Sequence, residues 1–530
     1  MNVLKQMKKV GAAALAAMSC LSATAVSAAT SDLTPTTKGD ISISGIEDAA
    51  TATIYKVANV HLTDSGFPKD PEFTWVGAVQ TWVNANHSAY SNVDSLSAET
   101  DTQKVADFYD DLSYSIKQSE ISLSAAHTIT GNGTINSVDM GSYLVIIEGA
   151  ANVYRPSIIN VQPSFNSAAD KWELTTTALE VKSSPVTITQ IPENPPTDPD
   201  PTHTSGTIGT NTTNSYNIGD TIPYTAKASV PTYPKKATNT KYVITSDVLQ
   251  NQALKADTIK VYGVAFDDSE TFLTTDNQYT IDTTGTSTVK VEAVNFELVF
   301  DYSKIKSYKE IKVTYDTELL KTANIGSTGN ESTVSLTYGN DPYVVGDLKT
   351  CSASSLALTY EIDITKKDKN TDDKLTGAAF TVKNGTRDYT FVREADGFTY
   401  HPATSAELAD STVTKVTAVE TGTNGKLVLR GVDEGAYTAT ETAAPNGYAL
   451  PNGDSAKTAV TVTDSNLNGS VEIENAEQNT AVVSVVILNT KGFSLPLTGG
   501  SGDTLLFVAA IALFGGALIM LAFKKKIIKK

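Results

Sequence analysis

Catalysis or metal binding needs side chains that attack, coordinate or move protons, so histidines, cysteines and clustered acids come first. The five histidines, His61, His87, His127, His203 and His401, are scattered along the chain. No pair has ligand spacing and no cysteine joins them, so neither a zinc site nor a histidine-based triad is expected. Asp368–Asp373, DKNTDD, opens like a calcium loop. Its sixth position is Asp373 where glycine is needed, and its twelfth is Ala379 where glutamate is needed. It reads as a charged hairpin turn. With no phosphate-cradling glycine motif, the sequence points to no turnover of a small substrate and to no cofactor.

Both ends look like processing signals. Lys5, Lys8 and Lys9 precede an apolar stretch, Val10–Val26, and Val26 and Ala28 are small residues placed for cleavage. This predicts a secretory signal peptide over 1–28. Thr504–Phe523 carries no charge and is long enough to span a bilayer. The five lysines of Lys524–Lys530 hold that end on the cytoplasmic side, leaving the bulk of the chain outside. The formal net charge is −18; removing three signal lysines and, beyond Thr498, five lysines and Asp503 leaves −25. A chain this acidic is not expected to bind nucleic acid. Cys20 leaves with the signal, so Cys351 stands alone and no intrachain disulfide can form.

The elements that must position any site are mostly strands. The chain has 530 residues, enough for about three domains. Thr, Ser, Val, Asn and Tyr are abundant, and alternating runs recur between turn signals. The spacing predicts an N-terminal domain over 30–182, a middle immunoglobulin-like domain over 183–351 and a C-terminal domain over 355–490, all β-sandwiches. One helix is expected within Ser97–Ser122, from the spacing of Val105, Phe108, Leu112 and Ile116. Trp172–Lys182 reads as the last strand of the first domain. A proline-rich stretch from Pro192 to Pro201 reads as an exposed loop.

Leu495–Gly499, LPLTG, followed by the apolar span and the lysine tail, resembles the LPxTG sorting signal of Gram-positive surface proteins, here residues 494–530. In that family a sortase transpeptidase attacks the threonine carbonyl and releases the glycine side. Leu495, Pro496, Leu497, Thr498 and Gly499 would form the recognised stretch, cut between Thr498 and Gly499. Pro496 keeps it extended and Gly499 leaves room at the scissile bond.

Three further stretches resemble sortase-assembled backbone (major) pilins. Tyr437–Leu450, YTATETAAPNGYAL, is similar to the family's E-box, YxLxETxAPxGY, departing at Ala439. The stretch ITKKDKNTDDKLTGAAFTV is similar to the opening of a collagen-adhesin B-type domain. Trp172 and the following strand, ending on Lys182, match the position of the pilin motif, although Glu180 and Val181 replace Tyr-Pro. A literal Tyr-Pro-Lys ends on Lys235 instead. The resemblance implies polymerisation through Lys182, with Lys235 the alternative. It also implies an isopeptide bond between Lys366 and Asn489 promoted by Glu441, with Asn475 the rival to Asn489. In the middle domain it points to Asn340 and Asp247, but Gln190 stands where the lysine is expected, and an amide has no nucleophilic amine. No bond is therefore expected there.

By this resemblance the chain is a structural subunit, not an enzyme beyond its own bond formation. It is secreted, transiently membrane-anchored, then cut at Thr498 and joined to a lysine of the next subunit in a covalent head-to-tail polymer. Its implied partners are a sortase, further copies of itself, minor pilins, peptidoglycan and host-surface ligands. The alternative is a monomeric cell-wall-anchored adhesin.

Overall fold

The structure, a computed structural model, describes residues 30–174, 176–194, 206–247, 249–473 and 476–492. The signal segment, the core of the proline-rich stretch, Asn475, the LPLTG stretch and the apolar span 504–523 lie outside the described residues. Among the described residues no helix is long and apolar enough to cross a membrane. The chain forms two compact units, the first ending at Thr359 and also holding Asp464–Ser470, the second taking the remainder from Tyr360.

At the start of the first unit, Gly141–Glu148, GSYLVIIE, is buried almost throughout. The reason is that both its faces are covered. Tyr143, Val145 and Ile147 pack with Ile41, Ile43 and Ile54. Leu144 and Ile146 pack with Trp75, Trp82, Phe108 and Leu112. The second group sits largely on helices. Thr102–Lys117 falls inside the expected window, and Asp101 caps it by accepting from the Gln103 N–H at 3.0 Å. Gly77–Asn86 and Val93–Ser97 are two further helices that the sequence did not suggest. Their Val, Trp, Asn and Ser residues are middling helix formers, and packing decides in their favour. The expected single strand Trp172–Lys182 is in fact two. Lys171–Leu174 pairs with Pro163–Asn166, and Thr177–Glu180 runs parallel to Lys38–Ser44 in another sheet.

The rest of the first unit is a sandwich. One sheet has the order Ile188–Pro192, Thr221–Ser229, Glu310–Leu319, Gln252–Val264, Glu270–Phe272. The facing sheet has seven strands and includes Tyr242–Asp247, Asn330–Gly339 and Leu348–Leu358. Tyr216, Tyr224, Tyr242, Tyr315 and Phe296 fill the space between them. A buried tyrosine needs a partner for its hydroxyl. Tyr224 donates to Gln252 Oε1 at 2.9 Å and Tyr233 to the Gly339 carbonyl at 2.6 Å. The strand Leu348–Leu358 runs through the expected domain edge at 351 and completes this sheet.

The second unit is also a sandwich. Its six-stranded sheet ends in Lys426–Val432, Tyr360–Asp368 and Val482–Asn489. The facing sheet centres on Ala379–Asn384, Gly435–Ala443 and Lys457–Val462. The first and last strands, Tyr360–Asp368 and Val482–Asn489, are direct parallel neighbours.

Candidate cross-linking site

Tyr360–Asp368 alternates strictly: Tyr360, Ile362, Ile364, Lys366 and Asp368 all face inward. The alternation carries past the apolar residues and seats a lysine in the core, fully buried. On Val482–Asn489 the same rule turns Ile487 and Asn489 inward. On Gly435–Ala443, in the facing sheet, Tyr437, Ala439 and Glu441 are the buried positions. Three polar residues from three strands therefore meet between the sheets.

Lys366 Nζ lies 2.8 Å from Glu441 Oε2 and 2.6 Å from Asn489 Oδ1. Asn489 Nδ2 donates to Glu441 Oε1 at 2.6 Å. The lysine and glutamate side chains are 0% and 2% exposed, and the ammonium lies 5.6 Å from the centre of the Phe380 ring. Desolvation pushes the lysine below its usual pKa, while the hydrogen bond to Glu441 pulls the other way. One carboxylate thus touches both nitrogens: the amine that would attack and the amide nitrogen that would leave. The carboxamide oxygen of Asn489 faces the lysine, and its nitrogen faces the acid. The turn DKNTDD closes this end: Asp368 Oδ1 accepts from the Asn370 and Thr371 N–H groups, and Oδ2 accepts from the Tyr448 hydroxyl at 2.8 Å.

Lys182 and Lys235 line one groove of about 760 Å³ in the first unit. Helix Thr102–Lys117 supplies Asp107 and Asp110, and Arg155, Tyr233 and Tyr302 complete the walls. Lys235 donates to Asp107 at 2.7 Å, and that bond raises its pKa. Asp110 is buried, and desolvation raises its pKa. It accepts from the Tyr343 hydroxyl at 2.5 Å and from the Lys236 N–H at 2.7 Å. These acids and Arg155 were not singled out in the sequence; the acidic run DFYDD on a helix was the signal available.

The middle-domain residues are not brought together. Asp247 pairs with Lys290. Asn340 lies beyond the strand Asn330–Gly339 and donates to the Asn152 carbonyl at 3.3 Å. A further strand of the same sheet, Leu348–Leu358, follows it. Gln190, on Ile188–Pro192, is buried and donates to Ser332 and Ser355 at 2.8 and 2.9 Å. His401 is buried between Glu394 and Glu407, bracing the capping box at Thr404. Cys351 is half-buried and unpaired, its thiol pKa raised by desolvation.

Residues 360–477 match the SpaA prealbumin-like fold domain family. Among solved structures, the T6 backbone pilin of serotype M6 Streptococcus pyogenes aligns over 87% of this chain and 100% of its own, with TM-score 0.52 and 16% identity. The chain has the backbone-pilin fold. The major pilin SpaD of Corynebacterium diphtheriae aligns over 87% of this chain and 99% of its own, at TM-score 0.48 and 18% identity. The fimbrial protein FimP of Actinomyces oris aligns over 88% and 100%, at 0.46 and 17%. A search of curated proteins finds no match.

Proposed function

We propose that the chain is the backbone subunit of a covalently polymerised Gram-positive pilus, secreted, cut by a sortase at Thr498–Gly499 and joined through Thr498 to Lys182 of the next subunit. The observation that carries this reading is the Lys366–Glu441–Asn489 cluster joining the first and last strands of the second unit. Pulling such a subunit along the fibre loads those two neighbouring strands in shear. An amide between them would pass tension from Tyr360 to Gly492 without separating the sheets. The bond would form as Glu441 accepts a Lys366 proton, the neutral amine attacks Asn489 Cγ, and the carboxyl returns that proton to the departing nitrogen, which leaves as ammonia as the C–N bond of the carboxamide breaks; the regenerated carboxylate takes the second Lys366 proton as the new amide forms.

The choice of Lys182 over Lys235 rests on position: Lys182 follows the strand Thr177–Glu180 at the expected end of the first domain. Three further domain-scale features follow from this reading: an N-terminal domain ending at Lys182, a middle spacer and a cross-linked C-terminal domain. Other copies of the chain, minor pilins and peptidoglycan would be its partners. A wall extract boiled in detergent tests this: a ladder of bands is expected, whereas a single band would identify a monomeric wall-anchored adhesin.

A further inference from the structure

Two small apolar patches stand exposed on the two units. In the second unit, Leu450, Val486 and Leu488 are 43%, 53% and 47% exposed. They form an exit patch on the segments beside Gly492, the last described residue. Ala449 N–H donates to the Thr490 carbonyl at 3.0 Å and Gly492 N–H to the Gly447 carbonyl at 3.0 Å. Val486 and Leu488 lie on the outer face of Val482–Asn489, which is the edge strand of its sheet among the described residues. In the first unit, Val344, Val345 and Leu348 are 39%, 76% and 37% exposed. Their loop is pinned to the groove wall. Tyr343 bonds Asp110, and the Pro342 carbonyl accepts from the Thr238 and Asn239 N–H groups, three and four residues beyond Lys235.

We propose that these patches meet between consecutive subunits: the exit patch of one copy docks on the Val344–Leu348 loop of the next. The contact rests on the polymer reading above. The argument is one of reach. Thr498 lies six residues beyond Gly492, so a link from Thr498 into the groove holds the exit patch within about 20 Å of it. Such a tether raises the local concentration of one patch at the other to the millimolar range. Six apolar residues are too few to hold unlinked monomers together, since stable interfaces bury roughly 1,200 Å² or more. Repulsion between strongly acidic chains opposes unlinked association further. The contact is therefore specific to the linked state, and it makes each joint stiffer than its single covalent tie.

The test uses two chains in a Cys351→Ser background, one carrying Val345→Cys and the other Leu488→Cys. The two are co-expressed with the sortase, and assembled fibres are treated with a short bismaleimide. Because the cysteines are on different chains, a cross-linked peptide holding both positions reports only contact between copies. That peptide is expected from fibres and not from unlinked monomers. Phe272→Cys, exposed on a strand edge elsewhere in the first unit, should give none with Leu488→Cys. Fibres that form the ladder but yield no 345–488 peptide, or yield as much 272–488 peptide, would overturn the docking contact and leave the polymer intact. A wild-type chain that forms no ladder would overturn the polymer reading, and this contact with it.

Discussion

Replacing Asn489 by alanine isolates the value of the cross-link. The substitution removes the electrophile but leaves Lys366 paired with Glu441 at 2.8 Å. The bond would close a loop spanning 123 residues, the separation of Lys366 and Asn489. Chain-entropy closure of that length is worth about 5 kcal/mol by analogy with disulfides. For a unit of about 130 residues, this corresponds to a melting shift of roughly 15–20 °C. Glu441→Gln should cost more. It blocks the bond and also leaves the Lys366 ammonium buried without its anion, a further ~3–5 kcal/mol. The assay pairs intact mass with calorimetry on a soluble chain ending at Gly492. Wild type should be lighter than its sequence by one ammonia, roughly 17 Da from the condensation. Both variants should show full mass, allowing for the substitution, with Glu441→Gln melting lower than Asn489→Ala. Wild type at its full calculated mass would refute the reasoning outright. Variants that lose the bond without losing stability would refute its mechanical role.

Four other outcomes are expected. Lys182→Ala should leave a folded, wall-linked monomer with no ladder, while Lys235→Ala should keep the ladder; the reverse pattern on a gel reassigns the acceptor. Thr498→Ala should abolish both wall attachment and polymerisation without changing the melting curve of the described units. A fragment of the middle sandwich from digested wild type should carry no ammonia loss at Gln190, because its amide can only hydrogen-bond Ser332 and Ser355; a mass deficit there would contradict this. Glu72 is buried, with Oε1 lacking a partner, and desolvation, reinforced by the nearby Asp94, raises its pKa to about 7. The folded state then holds this proton more tightly than the unfolded state between about 4.5 and 7, so its contribution to stability falls as pH rises through that window. Glu72→Gln should flatten that part of the melting profile and raise the melting temperature at pH 8.

Much of the second unit was legible because strands obey a two-residue period. Lys366 shares its parity with Ile362 and Ile364, Glu441 with Tyr437 and Ala439, and Asn489 with Ile487. A charged residue at a core parity is a mark, readable in the amino-acid order itself, of a buried polar cluster. Periodicity alone could not show the three-strand convergence, since 75 and 123 residues separate Lys366 from its two partners; only the resemblance named the three together. The groove was hidden for the same reason. Asp107, Lys182 and Lys235 come from distant stretches, and only folding puts Lys235 against Asp107. Two helices were missed because Trp82 and Val83 are buried by tertiary packing rather than marked by propensity. Asn340 follows the strand Asn330–Gly339, and one more strand of that sheet comes after it. Leu348–Leu358, rich in Ser and Thr, has a weaker hydrophobic alternation than the strand before it, yet it pairs along all but its last residue with Asn330–Gly339.

The central claim is that one copy's Thr498 is joined to another copy's Lys182. Mass spectrometry of proteolysed, purified fibres tests it directly. The account predicts a branched peptide in which the Thr498 carboxyl forms an amide with the Lys182 side chain. Fibres whose only branched peptide joins Thr498 to Lys235 would contradict the assigned acceptor. Wall material containing Thr498 linked solely to cell-wall peptide, with no branch to any lysine of this chain, would contradict the polymer itself.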